Sequence, residues 1–416
     1  MEHNNISRMG IWGFGVVGKA ALTYLRNEGY SVGVMDRRPL ADSEQALLSA
    51  HQAPFYDQKQ ATQFFQDFPQ VLVSPGIDVR SFEGHATWVS ELDLVYQHTR
   101  IPIIAITGTL GKTTTTALLA HTLAYAGKKV WTGGNIGIGA LELLSDATPY
   151  DYILLEVSSF QLDLCRRFAP HIALWLNFHE NHLDRHGTVA NYFAAKQKIF
   201  AQQQATDIAI VPETLRPQVT TSARLVTLQP DLVDLPQLAH VTYAENLAAV
   251  ATVLQALGLD PAILVEAAKT FIRDEHRLEL VAQHRGVTLY NDSKSTVPQA
   301  TLAAVAQLKG KPLILLLGGV SKGVDRAPFV ARLAGSVKKI ICFGAEAEML
   351  HAAAAHASIS STATSTLADA ITQAFACAEP GDQILFSPAG ASFDLFANYQ
   401  ERGQRFKELI AQLTKE

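Results

Sequence analysis

An apolar run over residues 103–106 is followed by Gly108, Gly111, a lysine and then a run of four threonines at 113–116, in an order that suits phosphate binding. The apolar start predicts a buried strand, Gly108 and Gly111 predict a turn, and a helix is expected to begin at Thr113. The backbone N–H groups of such a turn surround a polyphosphate, and the helix start adds its positive end. We expect Lys112 to reach the β- and γ-phosphates and the Thr113 hydroxyl to bind Mg²⁺.

The match to the general phosphate-binding loop is incomplete, because that pattern has a glycine where this chain has Ile106. The alternative is an ordinary glycine turn before a helix. The lysine, the threonines and the preceding strand together favour a nucleoside-triphosphate site.

Groups that could bind the metal of such a site follow two later strands. Glu156 ends a buried strand, where an NTPase sheet places a Mg²⁺ ligand or a water-positioning acid. A glutamate that merely caps a helix is the alternative. His179, His182 and His186 follow the strand over residues 172–176, but their spacing is not that of a helical zinc motif and no cysteine is near. One histidine that assists a Mg²⁺ site is the better interpretation.

Two lysines lie on the helix predicted to follow these histidines. Helical spacing places Lys196 on the face of Tyr192 and Phe200, and Lys198 about 200° away, at about 100° per residue. Lys196 is therefore expected to face inward and Lys198 to face water. An inward lysine either extends its charged end back to solvent or has a function.

The N-terminal stretch predicts a Rossmann-type βαβ unit. A strand leads into G-x-G-x-x-G at residues 13–18, and a second strand ends in Asp36. NAD binding is the ordinary interpretation, but the fingerprint by itself indicates only a diphosphate or nucleotide near a helix start. Arg37 and Arg38 suit an anionic ligand or are simply solvated.

The last third of the chain predicts another α/β domain. Strands over residues 313–317, 339–343 and 383–386 each end in small or polar residues, which is typical of a ligand-binding sheet edge. We therefore predict an α/β fold with a Rossmann-like domain at 1–98, a central P-loop-type ATPase domain with a mainly parallel sheet at 99–273, and a Rossmann-like C-terminal domain at 274–416.

Composition agrees with a multidomain enzyme. The 416 residues are too many for one ordinary domain, and 48% of them are hydrophobic. The net charge of −5 without a basic cluster argues against a nucleic-acid partner. Three distant cysteines, a polar start and no apolar stretch of spanning length predict a cytoplasmic protein without a membrane partner. We expect a monomer.

Three motifs resemble the Mur ligases of peptidoglycan synthesis, and the resemblance extends over nearly the whole chain. They are Glu-Val-Ser-Ser-Phe-Gln-Leu at 156–162, Asn-Asp-Ser-Lys-Ser-Thr at 291–296 and Ser-Pro-Ala-Gly-Ala-Ser at 387–392. The loop at 107–113 is shared by the wider family, which includes folylpolyglutamate synthases. The first two motifs favour the branch that adds D-glutamate to UDP-N-acetylmuramoyl-L-alanine.

The resemblance implies a ligase that uses ATP and Mg²⁺, forms an acyl phosphate and joins these two substrates. It implies that the UDP substrate is bound by Gly13, Gly15, Val16, Val17, Gly18, Asp36, Arg37, Gly76, Asn135, Ser158 and Gln161. It implies that ATP is bound by Gly108, Thr109, Gly111, Lys112, Thr113, Thr114, Asn246, Arg277, Asp292 and Lys294. It implies that D-glutamate is bound by Thr296, Lys322, Ser392, Phe393 and Tyr399. Metal ligands would be Thr113, Glu156 and His182; catalysis would rest on Lys112, Glu156, His182 and Lys196, the last carrying a carbamate.

The sequence departs from the family pattern at three positions. Leu110 stands where the family usually has asparagine, Val17 replaces a common hydroxyl residue, and Asn246 is displaced within the adenine segment. Another ligase of the Mur or folylpolyglutamate type remains an alternative. An NAD-dependent dehydrogenase explains only the first forty residues, and the set of candidate catalytic residues argues against a non-catalytic binding module.

Overall fold

The described residues form three β-sheets with helices packed against them. The structure, a computed structural model, describes residues 7–136, 138–233, 238, 241–272, 275–321 and 323–414. The chain forms two compact units, of which the first comprises Met1–Phe178 and Phe193–Phe271 and the second comprises His179–Tyr192 and Ile272–Glu416. The first unit contains two of the sheets and the second contains one, so the predicted α/β class is confirmed.

The first sheet has the strand order β3-β2-β1-β4-β5, and all of its neighbours pair in parallel. The central strand is apolar on both faces because helices cover both sides, as parallel sheets require. This order is that of a Rossmann-like domain, as predicted. Its strands are β1 Arg8–Trp12, β2 Ser31–Asp36, β3 Phe55–Asp57, β4 Gln70–Val73 and β5 Thr87–Val89, and its helices are α1 Val16–Asn27, α2 Asp42–Ala50, α3 Ala61–Asp67 and α4 Glu91–His98.

The second sheet is also fully parallel, in the order β11-β10-β9-β6-β8-β7. Its strands are β6 Ile103–Thr107, β7 Val130–Gly134, β8 Tyr152–Glu156, β9 Ile172–Trp175, β10 Ile208–Val211 and β11 Arg224–Thr227. The helices of this stretch are α5 Lys112–Tyr125, α6 Ser159–Asp163, α7 Leu183–His186, α8 Val189–Gln197, α9 Ala244–Ala256 and α10 Ile263–Ala268. Neighbouring strands β9, β6 and β8 bring their carboxyl ends together, and the residues that follow them can therefore form one site.

A buried carboxylate links the two sheets of the first unit. Asp93 lies on α4, is 3% exposed, and accepts hydrogen bonds from the backbone N–H groups of Arg166, Arg167 and Phe168. These contacts satisfy the backbone after α6 and fix the position of the first sheet against the second.

The third sheet has the order β12-β13-β17-β14-β15-β16, in which β12 pairs antiparallel with β13 and the other neighbours are parallel. The antiparallel pair β12 and β13 therefore forms a hairpin at one edge of the sheet. The strands are β12 Glu279–His284, β13 Val287–Asn291, β14 Leu313–Leu317, β15 Lys339–Phe343, β16 Ser361–Thr364 and β17 Gln383–Phe386. The helices are α11 Pro298–Gln307, α12 Ala327–Ala331, α13 Ala347–His356, α14 Leu367–Cys377 and α15 Tyr399–Leu413.

Each predicted domain range contains one of the three sheets. The boundaries after residues 98 and 273 stay a prediction. Within the described part of the chain, every helix is too short or too polar to cross a membrane.

Candidate active site

The loop after β6 has the backbone shape that phosphate binding requires. Gly111 lies immediately before α5 in the left-handed region, with φ 78°. A Cβ on Gly111 would lie 2.3 Å from Oδ1 of Asn246, so both the backbone angle and the space exclude a larger residue. Helix α5 begins at Lys112, one residue earlier than predicted, because the glycine acts as its N-terminal cap.

Asn177 holds this loop from the end of β9. Its Oδ1 accepts the N–H groups of Thr109 at 3.1 Å and Leu110 at 2.9 Å, and its Nδ2 donates to the Leu110 carbonyl at 3.1 Å. The backbone at Leu110 is therefore fixed by a neighbouring strand, although its side chain differs from the family pattern. Sequence reasoning missed Asn177, whose only signal was its place at a strand end.

We expect Asn177→Ala to weaken nucleoside-triphosphate binding by about tenfold, because two loop N–H groups lose a partly buried side-chain acceptor. Calorimetric titration of each purified variant with ATP measures this affinity. Asn191→Ala is the matched control, since the Asn191 amide bonds the His186 carbonyl instead. Equal affinities in the two variants would contradict the role of Asn177.

Two lysines lie against this loop from different helices. Lys112 donates from Nζ to the carbonyls of Gly108 at 2.9 Å and Thr109 at 3.2 Å. Lys196 is 1% exposed, and its Nζ donates to the Gly108 carbonyl at 2.9 Å. The predicted inward direction of Lys196 is confirmed, and Lys198 instead pairs with Asp163 at the surface.

The environment of Lys196 favours the neutral amine. Burial lowers the pKa of Lys196 well below its usual value, the charge of Lys112 lowers it further, and Glu156 opposes both effects. A buried neutral amine is a nucleophile, which is the form that adds CO₂.

Glu156 ends β8 and is 2% exposed. Its Oε1 accepts a hydrogen bond from Nδ2 of Asn135 at 2.8 Å. Its Oε2 is buried and has no hydrogen-bond partner among the described residues. A buried carboxylate oxygen is costly unless a cation or donor satisfies it, so this residue fits a Mg²⁺ ligand.

The segment after Glu156 uses its side chains internally. Ser158 Oγ accepts the Gln161 N–H at 3.2 Å, and Gln161 Oε1 accepts the Ser158 N–H at 2.9 Å. The Gln161 amide also donates to Glu91 at 2.7 Å. Burial raises the pKa of Glu91, which favours a neutral carboxyl. Gln161 thus forms a capping box and connects it to α4, a contact that the sequence did not indicate.

The glycine loop of the first sheet is held by Asp36. This carboxylate is 7% exposed and accepts the N–H of Phe14 at 2.7 Å and that of Arg38 at 3.1 Å. Arg38 also donates to the Phe14 carbonyl at 3.0 Å and pairs with Glu44. Both arginines are exposed, and it is Arg38, named beside Arg37 from the sequence but not assigned to the UDP substrate, that supports the loop.

Two glycines of this loop, Gly13 and Gly18, are required by the local backbone. A Cβ on Gly18 would lie 2.1 Å from the Gly13 carbonyl oxygen, and Gly13 has φ +95°. Val16 is 67% exposed at the start of α1, Val17 is partly buried, and Gly15 and Gly76 have open space around them. This loop and the Asn135–Glu156 region both belong to the first unit.

In the second unit, Asp292 organises the segment after β13. Its Oδ1 accepts the Leu278 N–H at 3.1 Å, and its Oδ2 accepts the hydroxyls of Ser295 at 2.5 Å and Ser387 at 2.7 Å. Burial raises the pKa of Asp292 to about 6. Its carboxylate therefore holds the ends of two strands together.

The remaining candidates of the second unit lie on its loops. Lys294 Nζ lies 5.7 Å from the centre of the Tyr399 ring, Ser392 is 2% exposed and Phe393 is 74% exposed.

His182 precedes α7 with φ 54°, and its ring lies 6.1 Å from that of Tyr192. The Arg277 Nε atom is buried without a hydrogen-bond partner among the described residues. Lys322 lies outside the described residues.

Among those same residues, no group of three or more histidine, cysteine, aspartate or glutamate side chains is arranged to hold a metal ion. The predicted ligand set has only one carboxylate and one imidazole, with a threonine hydroxyl as the third member. This mixed set suits a Mg²⁺ ion that also binds phosphate oxygens better than it suits an all-protein zinc centre.

Profiles of known protein domains match two parts of this chain. The profile of the Mur ligase middle domain matches residues 106–224, and that of the Mur ligase, glutamate ligase domain matches residues 276–390. A relative from Desulfotalea psychrophila is 38% identical over 97% of this chain and 95% of its own length. The chain belongs to the Mur ligase family.

The curated relatives carry a more particular name. The D. psychrophila protein is named UDP-N-acetylmuramoylalanine--D-glutamate ligase, as is one from Caldanaerobacter subterraneus that is 32% identical over 98% of this chain and 99% of its own length. Among solved structures, the MurF ligase from Thermotoga maritima in complex with ADP is similar with a TM-score of 0.62 and 16% identity, covering 99% of this chain and 96% of that one. The structural likeness supports the fold, and the predicted family resemblance is confirmed.

Proposed function

We propose that this chain is an ATP- and Mg²⁺-dependent ligase that joins D-glutamate to UDP-N-acetylmuramoyl-L-alanine in peptidoglycan biosynthesis. The observation that carries the proposal is the site at the carboxyl edge of the second sheet. There, the phosphate-binding loop, Lys112, the buried Lys196 and the partly unsatisfied Glu156 lie together. Relatives with the corresponding name match almost end to end.

The chemistry follows from the weakness of a carboxylate as an acyl donor. ATP transfers its γ-phosphoryl group to the substrate carboxylate, which gives an acyl phosphate and ADP. The neutral amine of D-glutamate then attacks the carbonyl carbon, the bond from that carbon to the phosphate oxygen breaks, and inorganic phosphate and one amine proton are released. Lys112 and the loop N–H groups stabilise the charge on the transferring phosphoryl group.

The metal would be bound by Thr113, Glu156 and His182. The unsatisfied Oε2 of Glu156 supports this assignment. When bound, Mg²⁺ supplies positive charge to the phosphate oxygens.

The substrate residues keep their predicted roles in this proposal. UDP would bind at the glycine loop of the first sheet, where Asp36 and Arg38 fix the backbone. Asn135 and Ser158 would contact the sugar-peptide, Arg277 and Lys294 would contact ATP, and Thr296 and Ser392 would contact D-glutamate. We also propose the three domain ranges given above and a monomeric enzyme. We propose that the enzyme is located in the cytoplasm, which the three free cysteines support.

A phosphate-release assay with different amino acids tests the function. With ATP, Mg²⁺ and UDP-N-acetylmuramoyl-L-alanine present, we expect D-glutamate to give turnover and L-lysine and meso-diaminopimelate to give background. A site with one lysine and two hydroxyls suits the two carboxylates of D-glutamate. Turnover with L-lysine or meso-diaminopimelate instead would overturn the amino-acid assignment, and reduction of NAD on mixing would favour the dehydrogenase alternative.

A further inference from the structure

Arg326 is an almost fully buried arginine just before α12, at 1% exposure. Its guanidinium donates to the carbonyls of Gly318 at 3.0 Å, Gly319 at 3.1 Å and Pro388 at 2.8 Å. Its only ion-pair partner among the described residues is Glu346, at 3.0 Å. Burial lowers the pKa of Arg326, and Glu346 opposes that shift. One side chain therefore satisfies the backbone of two separate loops.

These loops follow β14 and β17 and are joined closely to each other. The Gly318 N–H donates to the Pro388 carbonyl at 3.1 Å, and Val320 and Ala391 exchange hydrogen bonds of 2.9 and 2.8 Å. A Cβ on Gly390 would lie 2.5 Å from the Gly318 carbonyl oxygen. The two loops therefore cross in direct backbone contact, and we call this contact the crossing. The carbonyl groups that face inward at the crossing need hydrogen-bond donors.

Glu346 extends this support along the first of the two loops. Its Oε2 accepts from Arg326, and its Oε1 accepts the N–H of Ser321 at 2.7 Å. The next residue in the sequence is Lys322, and Ser392 directly follows Ala391. Arg326 and Ser321 also line a small cavity with Thr296. The pair therefore supports the attachment points of residues assigned to the amino-acid substrate.

We propose that Arg326 and Glu346 are a positioning pair that sets the affinity of this enzyme for its amino-acid substrate. This proposal rests on the proposed ligase function and assigns to the pair no contact with the reacting atoms. The pair fixes the described parts of the loops after β14 and β17, so the backbone beside the residues assigned to the substrate carboxylates is ordered before the substrate arrives.

The chemistry of arginine explains why this position is specific. The planar guanidinium presents five N–H donors in a fixed fork and can reach three carbonyls and a carboxylate at once. A lysine has a compact charge and three donors, so it cannot make all four of these contacts at once. Arg402, which bonds the Gly390 carbonyl and Ser293, supports the other side of the crossing and does not replace these contacts.

The test compares Glu346→Gln and Arg326→Lys with two exposed controls, Glu348→Gln and Arg332→Lys. Phosphate release gives kcat and the KM for the amino acid and for ATP, and thermal unfolding gives stability. Because charge-assisted hydrogen bonds are lost, we expect the KM for D-glutamate to rise about tenfold in both test variants. The KM for ATP should stay within about twofold, and the controls should match the wild type.

A merely structural role predicts a different pattern. It predicts lower stability with an unchanged KM for D-glutamate, or equal rises in KM for every substrate, and either result would overturn the proposal. If Arg326→Lys does not fold, Glu346→Gln decides, since Glu346 is a partly exposed residue.

A wild-type enzyme that prefers another amino acid refutes the D-glutamate assignment alone, and the same comparison is then made with that amino acid. A wild-type enzyme that releases phosphate with no amino acid refutes the ligase function and removes the premise of the pair.

Discussion

Lys196→Ala is expected to lose nearly all ligase activity, and a small carboxylate at high concentration is expected to restore part of it. The side chain is buried, its Nζ lies 2.9 Å from the Gly108 carbonyl, and its pKa is lowered by burial and by Lys112. An uncharged amine in this position can add CO₂ and become a carbamate. The resulting anion would hydrogen-bond to neighbouring donors and offset the charge of Lys112 and of Mg²⁺.

The experiment measures phosphate release by Lys196→Ala with and without acetate or formate. Lys198→Ala is the matched control, because Lys198 lies on the same part of the chain and pairs with Asp163 at the surface. Carbon-13-labelled bicarbonate adds an independent readout, since a carbamate carbon gives its own NMR signal in the wild type and not in Lys196→Ala. An active Lys196→Ala enzyme, together with the absence of that signal from the wild type, would remove the carbamate hypothesis.

Lys112→Ala has the second large expected effect. Its ammonium group lies within hydrogen-bond distance of the carbonyls of Gly108 and Thr109, at the loop that would surround the phosphates. Loss of one preorganised charge from a transferring phosphoryl group should lower kcat by about 10²–10³-fold. ADP production, measured by a coupled assay, provides the rate.

Lys129→Ala is the control for charge removal, since Lys129 is an exposed lysine of the same unit. Thermal unfolding of both variants separates lost activity from lost structure. ADP production by Lys112→Ala at a near-normal rate would mean that the loop does not hold the reacting phosphates, whatever the family relationship.

The sequence by itself determined the parts of this protein that depend on local pattern. The apolar run before Gly108 predicted the strand, and the lysine after Gly111 predicted the phosphate loop, because both signals lie within about ten residues. The inward direction of Lys196 followed from helical spacing alone. The Mur ligase resemblance was confirmed, since its motifs are contiguous segments that need no tertiary information.

Only the tertiary structure decided which residues that are far apart in the sequence form hydrogen bonds with each other. Asn177 holds the loop at Leu110 across 67 positions of sequence, and Gln161 bonds Glu91 across 70. These pairs depend on strand order, which places β9 beside β6 and α4 beside α6. No periodicity indicated that Arg326, in a polar stretch after β14, would be buried. Its burial follows from the crossing of two loops whose carbonyls face inward, and such a contact is set by the packing of the whole sheet.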